Sequence, residues 1–526
     1  MTRKHFYIPI ALSLMMFIVF EVACQVTLKP IFAQEPPKSA SETQTQAAKE
    51  IPAEKPSVTR HTIELHGKNL NYTATAGYMQ MKDEVGKLKA NIFFVAYVKD
   101  GPEDEFERPI TFAFNGGPGA ASIFLHLGAL GPKRVLLKDE GKALPPPYRY
   151  VTNEYTWLDF TDLVFIDPVG TGYSRSAPGV DPKEFYGVKG DIRSVGDFIR
   201  LYCTKYQRWL SPKFIAGESY GTTRAAGLSG YLQNKLGMNP NGIILISEVL
   251  NFQTIMFGPG NDLPYILYLP PYTVAAWYHG KLSPELQADL PKTRNEVEQF
   301  ALNEYVLALA KGDGLLDGDR NKIIEKLVHY TSLQKTYIKN SNLRIGREEF
   351  IKGLLRDENR RIGILDSRIT GSYKVTDFVG DPSVFEVTGP LVATWNDYVR
   401  KELKFETETP YEILSTKVNE LWDWGSVTGG LGYVDVAKIL QQAMSKNKFL
   451  KVFIGSGYYD LDTSYFATKY TVNHLGLDPS LRNNITLAFY DAGHQMYTDM
   501  PSLKKLTGDV GAFFKKALQK ESRPKP

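Results

Sequence analysis

Cysteine is scarce in this chain. Only Cys24 and Cys203 occur among 526 residues. If the N-terminal segment is removed, Cys203 remains alone and no internal disulfide can form. Cys203 follows Ile199 at a helical spacing, so we interpret it as a packing residue and do not expect it to act as a nucleophile. A chain of this length can rely on a large hydrophobic core for its stability instead.

An excess of one charge is also missing. The 62 Lys and Arg residues are balanced by 58 Asp and Glu residues, which leaves a net charge of +4, and no dense basic stripe occurs. Electrostatic binding of nucleic acid therefore has little support, and no nucleic-acid partner is expected. A metal-binding signature such as His-Glu-x-x-His is absent, so we expect neither a metal nor another cofactor.

A long apolar run lies near the N-terminus, over residues 6–20. It follows a basic start and precedes the small residue Ala33, which together are typical of a cleaved export signal over residues 1–33. Glu21 interrupts the run and argues against a membrane span. A lipid anchor at Cys24 is a minor alternative to cleavage. We therefore expect a periplasmic or secreted protein with no stable membrane span after cleavage.

The remaining chain divides into three parts by amino-acid composition and by strand or helix pattern. Residues 34–58 are rich in Pro, Ala, Glu, Lys, Ser and Thr and predict a flexible linker, because they offer little apolar surface to bury. Strand-like runs alternate with helical patterns over residues 59–250 and again over 416–520, whereas residues 251–415 are mostly helical in pattern. We predict one discontinuous α/β domain with an inserted, largely helical cap; a separate binding domain is the alternative.

The most informative stretch is Gly-Glu-Ser-Tyr-Gly at residues 217–221. An apolar run precedes it, a helix-forming segment follows at 222–236, and another apolar run occupies 242–246. Strand, tight turn and helix would present the Ser219 hydroxyl above a sheet, with the helix N-terminus directed at developing negative charge. The Gly-x-Ser-x-Gly pattern alone is weak evidence of function. Together with the flanking strand and helix patterns, it predicts a hydrolase built on a mostly parallel, doubly wound sheet.

A second glycine-rich turn, residues 115–119, follows the apolar run 109–114. Such a loop can bind phosphate, but the Lys of a phosphate loop is missing and the pattern is not Gly-x-Gly-x-x-Gly. The loop better suits an oxyanion hole, in which the backbone N–H of Gly117 joins that of Tyr220. Asp167 ends the next apolar run and is either a functional acid or a turn-capping residue.

A serine nucleophile needs a base that takes its proton and an acid that orients this base. His494 is the histidine after Ser219 that directly follows a predicted strand, at residues 485–490; a polar turn residue is the alternative. Asp460 and Asp462 both follow the preceding predicted strand, and only one of them can lie behind one imidazole. The chain order of serine, acid and histidine is that of α/β hydrolases.

Five motifs, in order between Arg108 and Pro501, resemble the serine carboxypeptidases. They are Asn115-Gly116-Gly117-Pro118-Gly119 with Leu130-Gly131-Pro132, Asn153-Glu154-Tyr155-Thr156-Trp157, Asp167-Pro168-Val169-Gly170-Thr171-Gly172-Tyr173-Ser174, Gly217-Glu218-Ser219-Tyr220-Gly221, and Gly493-His494 with Asp499-Met500-Pro501. The resemblance implies an α/β-hydrolase fold with a mostly parallel central sheet and an inserted helical cap, here in an expected bacterial member. It also implies a catalytic acid that closes a Gly-x-x-Asp turn, which selects Asp460 over Asp462.

The resemblance further implies residues that bind the substrate's terminal carboxylate. In the family these are the Asn of the glycine-rich loop and the Glu before the nucleophile, which match Asn115 and Glu218, with Gly116 beside them. A Glu can approach a carboxylate only if one of the two carries a proton, which favours acidic conditions. An exposed acid at the helix start is the alternative for Glu218. The family's second Glu is Ala129 here, the Cys of the glycine-rich loop is Ala120, and the family's disulfides have no counterpart.

Together these patterns predict an exported serine carboxypeptidase that acts on peptides with a free C-terminus. Ser219 would attack the last peptide carbonyl, His494 would transfer the proton, Asp460 would orient His494, and Gly117 with Tyr220 would stabilise the oxyanion. An esterase or acyltransferase on the same scaffold is the main alternative, and a non-catalytic periplasmic binding protein is a further one. The sequence does not predict the oligomeric state.

Overall fold

The apolar runs of the sequence form a central ten-stranded sheet in a computed structural model, which describes residues 55–101, 107–373, 380–425 and 432–519. The strands are β1 (Ser57–Leu65), β2 (Lys68–Lys82), β3 (Leu88–Lys99), β4 (Ile110–Phe114), β5 (Lys133–Val135), β6 (Tyr150–Thr152), β7 (Asp162–Ile166), β8 (Arg175–Ser176), β9 (Lys213–Glu218), β10 (Gly242–Ile246), β11 (Arg360–Ile362), β12 (Thr370–Ser372), β13 (Lys451–Gly457) and β14 (Ile485–Tyr490). The sheet has the order β1-β2-β3-β7-β4-β9-β10-β13-β14, with β8 beside β3.

The sheet is mostly parallel. Strands β7, β4, β9, β10, β13 and β14 run parallel to one another, whereas β1, β2, β3 and β7 pair antiparallel. Strands β4, β7, β9 and β10 are buried along their whole length, which explains their continuous apolar sequences. The predicted parallel sheet and its antiparallel leading edge are therefore confirmed.

The predicted N-terminal segments lie mainly outside the described residues. This holds for the export signal at residues 1–33 with Cys24, and for residues 34–54 of the linker. The end of the linker was predicted wrongly, because Ser57 and Val58 pair with Ala76 and Thr75 in the sheet. Backbone hydrogen bonds hold this edge strand although the side chain of Val58 is 60% exposed, so composition does not reveal it.

Helices cover both faces of the sheet and form an additional cluster. They are α1 (Ile123–Leu125), α2 (Val188–Lys205), α3 (Tyr220–Leu236), α4 (Leu263–Tyr278), α5 (Pro284–Gln287), α6 (Leu290–Phe300), α7 (Val306–Lys311), α8 (Asp317–Thr331), α9 (Lys335–Asn340), α10 (Arg347–Gly353), α11 (Pro382–Lys401), α12 (Thr416–Glu420), α13 (Ala437–Lys446), α14 (Tyr465–Asn473) and α15 (Met500–Ala517). Within the described ranges, no helix is both long and apolar enough to cross a membrane.

Three apolar clusters show which helices belong together. Helices α2, α3 and α13 pack on one face of the sheet, and α11 and α15 pack on the other. Helices α4 to α10 share a third cluster with α14. Helical insertions into the α/β fold are thus present, whereas the cap boundaries at residues 251 and 415 stay a prediction. Cys203 is buried in α2, and burial raises the pKa of its thiol to about 11.

Candidate active site

Ser219 lies on the sharp turn that the sequence predicts. Strand β9 ends at Glu218, helix α3 begins at Tyr220, and Ser219 between them has φ 58° and ψ −131°. A Cβ on Gly217 would lie 2.2 Å from the carbonyl oxygen of Gly221. Small residues are therefore required on both sides of the turn, as the Gly-x-Ser-x-Gly pattern indicates. The side chain of Ser219 is half-buried at the carboxyl end of the strand.

Asp460 and His494 form a buried pair. His494 Nδ1 lies 2.8 Å from Asp460 Oδ2, and both side chains are almost inaccessible to solvent. The carboxylate is held by further donors: Oδ1 accepts the backbone N–H groups of Asp462 and Thr463 at 2.7 and 2.9 Å, and Oδ2 accepts the Thr463 hydroxyl at 2.6 Å. Because Nδ1 is hydrogen-bonded to Asp460, Nε2 is the ring nitrogen that can accept the proton of a nucleophile.

The choice between the two candidate acids follows from their contacts. Asp462 accepts a hydrogen bond from Arg347 at 2.9 Å. Asp460 is the carboxylate that meets His494. The remaining role of Asp462 near the imidazole is electrostatic, because its charge acts on the pKa of His494 from a distance.

The charges around His494 favour its protonated form. Burial lowers the pKa of His494, but the charge and hydrogen bond of Asp460, with the charges of Asp462 and Glu218, outweigh burial and raise it above the usual range. An imidazole in this setting is a good acceptor for the proton that a nucleophile releases. Among the groups that raise its pKa, Asp460 has the largest influence.

The serine elbow and the histidine turn are linked through β10. Ser219 N donates to Ile246 O at 3.0 Å, and Ser247, the next residue along, donates through Oγ to His494 O at 2.6 Å. In the described part of the chain, the Ser219 hydroxyl makes no hydrogen bond of its own. Hydrogen bonds between nucleophile and base are often completed only when substrate binds.

The glycine-rich loop lies directly on the elbow. A Cβ on Gly116 would lie 2.5 Å from the backbone nitrogens of both Tyr220 and Gly221, so only glycine allows this approach. Gly117 has φ +97°, a conformation that also favours glycine. The predicted oxyanion donors, the N–H groups of Gly117 and Tyr220, therefore belong to two segments in contact with each other.

A buried ion pair supports this side of the site. Arg224 of α3 donates to Asp191 of α2 at 2.8 Å, and both side chains are almost fully buried. The guanidinium also donates to the carbonyl oxygen of Asn115 at 2.6 Å, while the Tyr220 hydroxyl donates to Asp191 at 3.2 Å. We call Asp191 and Arg224 the scaffold pair, because it joins two helices of the α/β fold to the glycine-rich loop and the elbow.

Glu218 is buried beside the elbow, and only 3% of it is exposed. The alternative of an exposed acid at the helix start is therefore wrong. Burial raises the pKa of Glu218 to about 7, against the lowering influence of His494, Tyr497 and Asn115. Oε2 of Glu218 has no hydrogen bond of normal geometry with any described residue. A neutral carboxyl group at this position can donate a hydrogen bond to a carboxylate.

Asn115 interacts with Glu218, whereas Ala129, at the position of the family's second Glu, has no polar side chain. Asn115 is buried, and its Oδ1 accepts the N–H of Leu125 at 2.9 Å, which leaves the amide nitrogen to donate elsewhere. Ala129 is fully buried. The ring of Tyr497 packs against the adjacent Gly128, where a Cβ would lie 2.6 Å from the ring. Tyr497, whose ring packs on this segment, also acts on the pKa of Glu218.

Asp167 supports the glycine-rich segment and also lies against its own turn, where a Cβ on Gly172 would meet its carboxylate and the Tyr173 backbone acts on its pKa. Its Oδ1 accepts the N–H of Ser122 at 2.8 Å and the Tyr411 hydroxyl at 3.3 Å. Burial raises the pKa of Asp167 to about 6. The carboxyl group therefore joins the end of β7 to the start of α1, next to the loop that carries Asn115.

Several contact residues were not identified from the sequence. Thr463 could have been found, because a hydroxyl three residues after a turn acid commonly bonds it. Asp191, Arg224 and Tyr497 carry no local signal, since each acts on a residue of a distant segment. The separation between Asp191 and Arg224 is 33 residues, and no periodicity marks the pair.

A strained serine elbow and a buried acid–imidazole pair at the carboxyl edge of a mostly parallel sheet are the architecture of the α/β hydrolases. Comparison with known proteins narrows this class. The profile of the family described as serine carboxypeptidase matches residues 65–508. The chain therefore belongs to the serine carboxypeptidase family.

Individual relatives are distant. The chain is 24% identical to serine carboxypeptidase-like 36 of Arabidopsis thaliana over 462 residues, which cover 82% of this chain and 81% of the relative. It is 28% identical to serine carboxypeptidase-like 29 of the same plant over 190 residues, which cover 34% and 36%. The fold is similar to the crystal structure of Kex1, a prohormone-processing carboxypeptidase from Saccharomyces cerevisiae, with a TM-score of 0.54 and 15% identity over 84% of this chain and 91% of that one.

Proposed function

We propose that this protein is an exported bacterial serine carboxypeptidase, which removes C-terminal residues from peptides through an acyl-enzyme on Ser219. The observation that carries the proposal is the 2.8 Å pair of His494 and Asp460 at the sheet edge where the serine elbow lies. Family membership supports the same chemistry.

The proposed reaction uses His494 twice. Its Nε2 takes the proton of the Ser219 hydroxyl as Oγ attacks the last peptide carbonyl, and Asp460 holds the imidazole through Nδ1. The N–H groups of Gly117 and Tyr220 bind the oxyanion. His494 then gives the proton to the leaving amine, which departs as the C-terminal amino acid. Water repeats the steps on the ester and restores the serine hydroxyl.

Glu218 and Asn115 are proposed to select a free C-terminus. A neutral Glu218 donates a hydrogen bond to the substrate carboxylate, and the Asn115 amide donates another beside it. An ionised Glu218 would repel the same carboxylate in a buried site. Exopeptidase selectivity is therefore expected to depend on the protonation of one carboxyl group.

The expected pH dependence follows from the pKa of Glu218. Burial raises it to about 7, so the carboxyl group is neutral below that pH and becomes ionised as pH rises through it. Turnover of a free-acid peptide relative to the same peptide amidated should therefore rise as pH falls through 7. This ratio isolates Glu218, because the protonation of His494 affects both peptides alike. An acidic preference is thus proposed for carboxylate recognition.

Peptide pairs with a free or amidated C-terminus test the proposal directly. The wild-type protein should release the terminal amino acid from the free acid, and Ser219→Ala should abolish both this release and labelling by a fluorophosphonate. Ser445→Ala, an exposed serine that bonds Gln441 within α13, is the matched control and should retain both. Equal turnover of both peptides at every pH would point to an esterase or acyltransferase. Absence of labelling in the wild type would favour a binding protein.

Export is supported by residues 1–33 alone and needs a separate test. Expressed in a bacterium with its own N-terminus, the full chain should be recovered outside the cytoplasm and cleaved close to Ala33. The mass of the mature N-terminus measures this. A protein that retains Met1, or one that carries lipid on Cys24, would contradict cleavage at this position.

A further inference from the structure

A short loop of the helical insertion contacts both catalytic turns. We call residues 364–368, between β11 and β12, the clamp loop. On one side it contacts the turn that carries Asp460: Leu461 N donates to Ile364 O at 2.9 Å, and Ser367 N donates to Tyr459 O at 3.0 Å. These two bonds flank Asp460 in the sequence, so the loop pairs with the backbone on either side of the acid.

The other side of the clamp loop contacts the turn that carries His494. His494 N donates to Leu365 O at 2.6 Å, and Gly493 N donates to Asp366 Oδ2 at 3.2 Å. The fit is tight, because a Cβ on Gly493 would lie 2.4 Å from Leu365 O and 2.5 Å from Asp366 Cβ. The clamp loop therefore lies between the two turns whose separation sets the Asp460–His494 hydrogen bond.

A buried ion pair stiffens the clamp loop. Arg368 donates to Asp366 through Nε at 3.0 Å and through Nη2 at 2.7 Å, a bidentate geometry. Its Nη1 donates to Asp491 O at 2.9 Å, and its guanidinium lies 5.2 Å from the centre of the Tyr459 ring. One side chain thus reaches the histidine turn, the acid turn and its own loop. We call Asp366 and Arg368 the clamp pair.

The outer side of the loop is fixed by helix α11. The carboxylate of Asp381 caps this helix by accepting Ser383 N at 3.0 Å. The same carboxylate accepts the N–H groups of Ile364 and Leu365 at 3.0 and 2.9 Å. The Leu365 peptide is therefore held between the Asp381 carboxylate and the His494 amide. A shift of the loop would break bonds on both sides.

We propose that Asp366 and Arg368 are positioning residues for the catalytic histidine, so that turnover depends on a loop of the helical insertion. The inference rests on the proposed function. Its physical basis is the sensitivity of proton transfer to geometry: a displacement of ~1 Å in a catalytic group can lower the rate by roughly 100-fold. The two turns come from separate strands, β13 and β14, and the clamp loop joins them.

The proposal predicts that loss of the clamp pair lowers kcat and leaves KM nearly unchanged. In Arg368→Met, kcat should fall about 10- to 100-fold, by the geometric sensitivity of positioned groups. KM for a free-acid peptide should stay within about two-fold of the wild-type value, because Asn115 and Glu218 lie on other segments. Arg368→Lys retains the charge but cannot bridge Asp366 and Asp491 in the same way, and should recover only part of the loss.

A pH profile distinguishes a positioning role from partial loss of folded protein. The charges that act on His494 come from Asp460, Asp462 and Glu218. The clamp pair itself also carries charge beside the histidine turn. In Arg368→Lys, which keeps that charge, withdrawal of Asp460 should lower the pKa of His494 and move the acid limb of kcat/KM to lower pH. A smaller fraction of intact enzyme would lower the rate at every pH without moving this limb.

Two further variants make the test independent of folding. Gly493→Ala pushes against Leu365 from the histidine side and changes no charge, so it should give the same selective loss of kcat. Arg344→Met is the matched control, because Arg344 makes a similar bidentate pair with Asp262 at 2.7 Å and touches neither catalytic turn. It should retain wild-type kcat.

Wild-type and Ser219→Ala proteins are measured first. If wild type shows no Ser219-dependent release of the terminal residue, the proposed function itself fails. If wild type is active and the folded Arg368→Met and Gly493→Ala proteins match it in kcat and in the acid limb, the clamp proposal alone is overturned. Should Arg368→Met not fold, Arg368→Lys and Gly493→Ala decide by the same two readouts.

Discussion

The two sides of the active site are each supported by a buried Arg–Asp pair, but the pairs belong to different parts of the molecule. The scaffold pair joins α2 to α3, and Arg224 donates to Asn115 O at 2.6 Å. The clamp pair lies within one loop of the helical insertion, and Arg368 donates to Asp491 O at 2.9 Å. In both pairs, one guanidinium neutralises a carboxylate and also holds a backbone carbonyl of a site loop.

The two ion pairs differ in how deeply they are buried and in which hydrogen bonds would remain if the pair were broken. Asp191 and Arg224 are part of helices packed on the sheet, with side chains 3% and 1% exposed. Asp366 and Arg368 are somewhat more exposed, at 11% and 5%. The carboxylate of Asp366 also keeps donors from the backbone of Arg368 and Gly493. The scaffold pair should therefore matter more for folding, and the clamp pair more for the geometry of the histidine.

The largest effect is expected on the histidine side, at Asp460. Asp460→Asn should lower kcat by ~10⁴-fold, because an amide stabilises the wrong tautomer of His494. Asp462→Asn, two residues away and bonded to Arg347, should cost less than about ten-fold. Steady-state kinetics on a free-acid peptide measure both. Similar losses in the two variants would show that the acid had been assigned to the wrong carboxylate.

The corresponding test on the oxyanion side uses Gly116, because the proposed donors there are backbone N–H groups. The Cβ of Gly116→Ala would lie 2.5 Å from the nitrogen of Tyr220 and should displace the glycine-rich loop. Loss of an oxyanion donor lowers kcat by ~10²- to 10³-fold, so an effect of this size is expected. Gly508→Ala in α15, which meets nothing within 4 Å, is the control and should leave kcat unchanged.

The loss of stability on breaking each ion pair should differ between the scaffold pair and the clamp pair. Arg224→Met leaves Asp191 buried without its partner, which should lower the free energy of unfolding by ~3–5 kcal/mol. Arg368→Met should lower it by less, because Asp366 keeps its backbone donors. Urea denaturation followed by circular dichroism compares the variants. Equal destabilisation would mean that the clamp pair is as much a part of the folded core as the scaffold pair.

The smallest expected change concerns Glu218 and appears in pH dependence. Glu218→Gln removes the group that titrates near pH 7, so the ratio of free-acid to amidated turnover should no longer change as pH rises through 7. Burial also raises the pKa of Glu248 to about 7, but this carboxyl group interacts with Thr468 and Leu250 N and not with Asn115 or Tyr497. Glu248→Gln is therefore the matched control, and it should keep the wild-type pH dependence. A flat ratio in the wild type would contradict the role of Glu218.

Local sequence patterns were sufficient to predict much of the fold. Continuous apolar runs identified β4, β7, β9 and β10, because strands covered on both faces exclude polar residues. Gly217 and Gly221 marked the elbow, since a Cβ at either position would meet backbone atoms. The place of α11 was not predicted: it lies within the predicted cap range, yet it packs against the sheet core through Trp395 and Tyr398. Nothing in its own periodicity tells a sheet surface from a helical cluster.

The sequence by itself determined the class of chemistry, because a serine elbow, a glycine-rich loop and a histidine after a strand are short patterns with local steric causes. Only the tertiary structure decided how deeply Glu218 is buried and which charged pairs support the site. The bond between Asp366 and Gly493 joins residues 127 positions apart, in segments that do not share a helix or a strand. Such contacts depend on how loops from different elements pack together, and residue spacing along the chain carries no record of them.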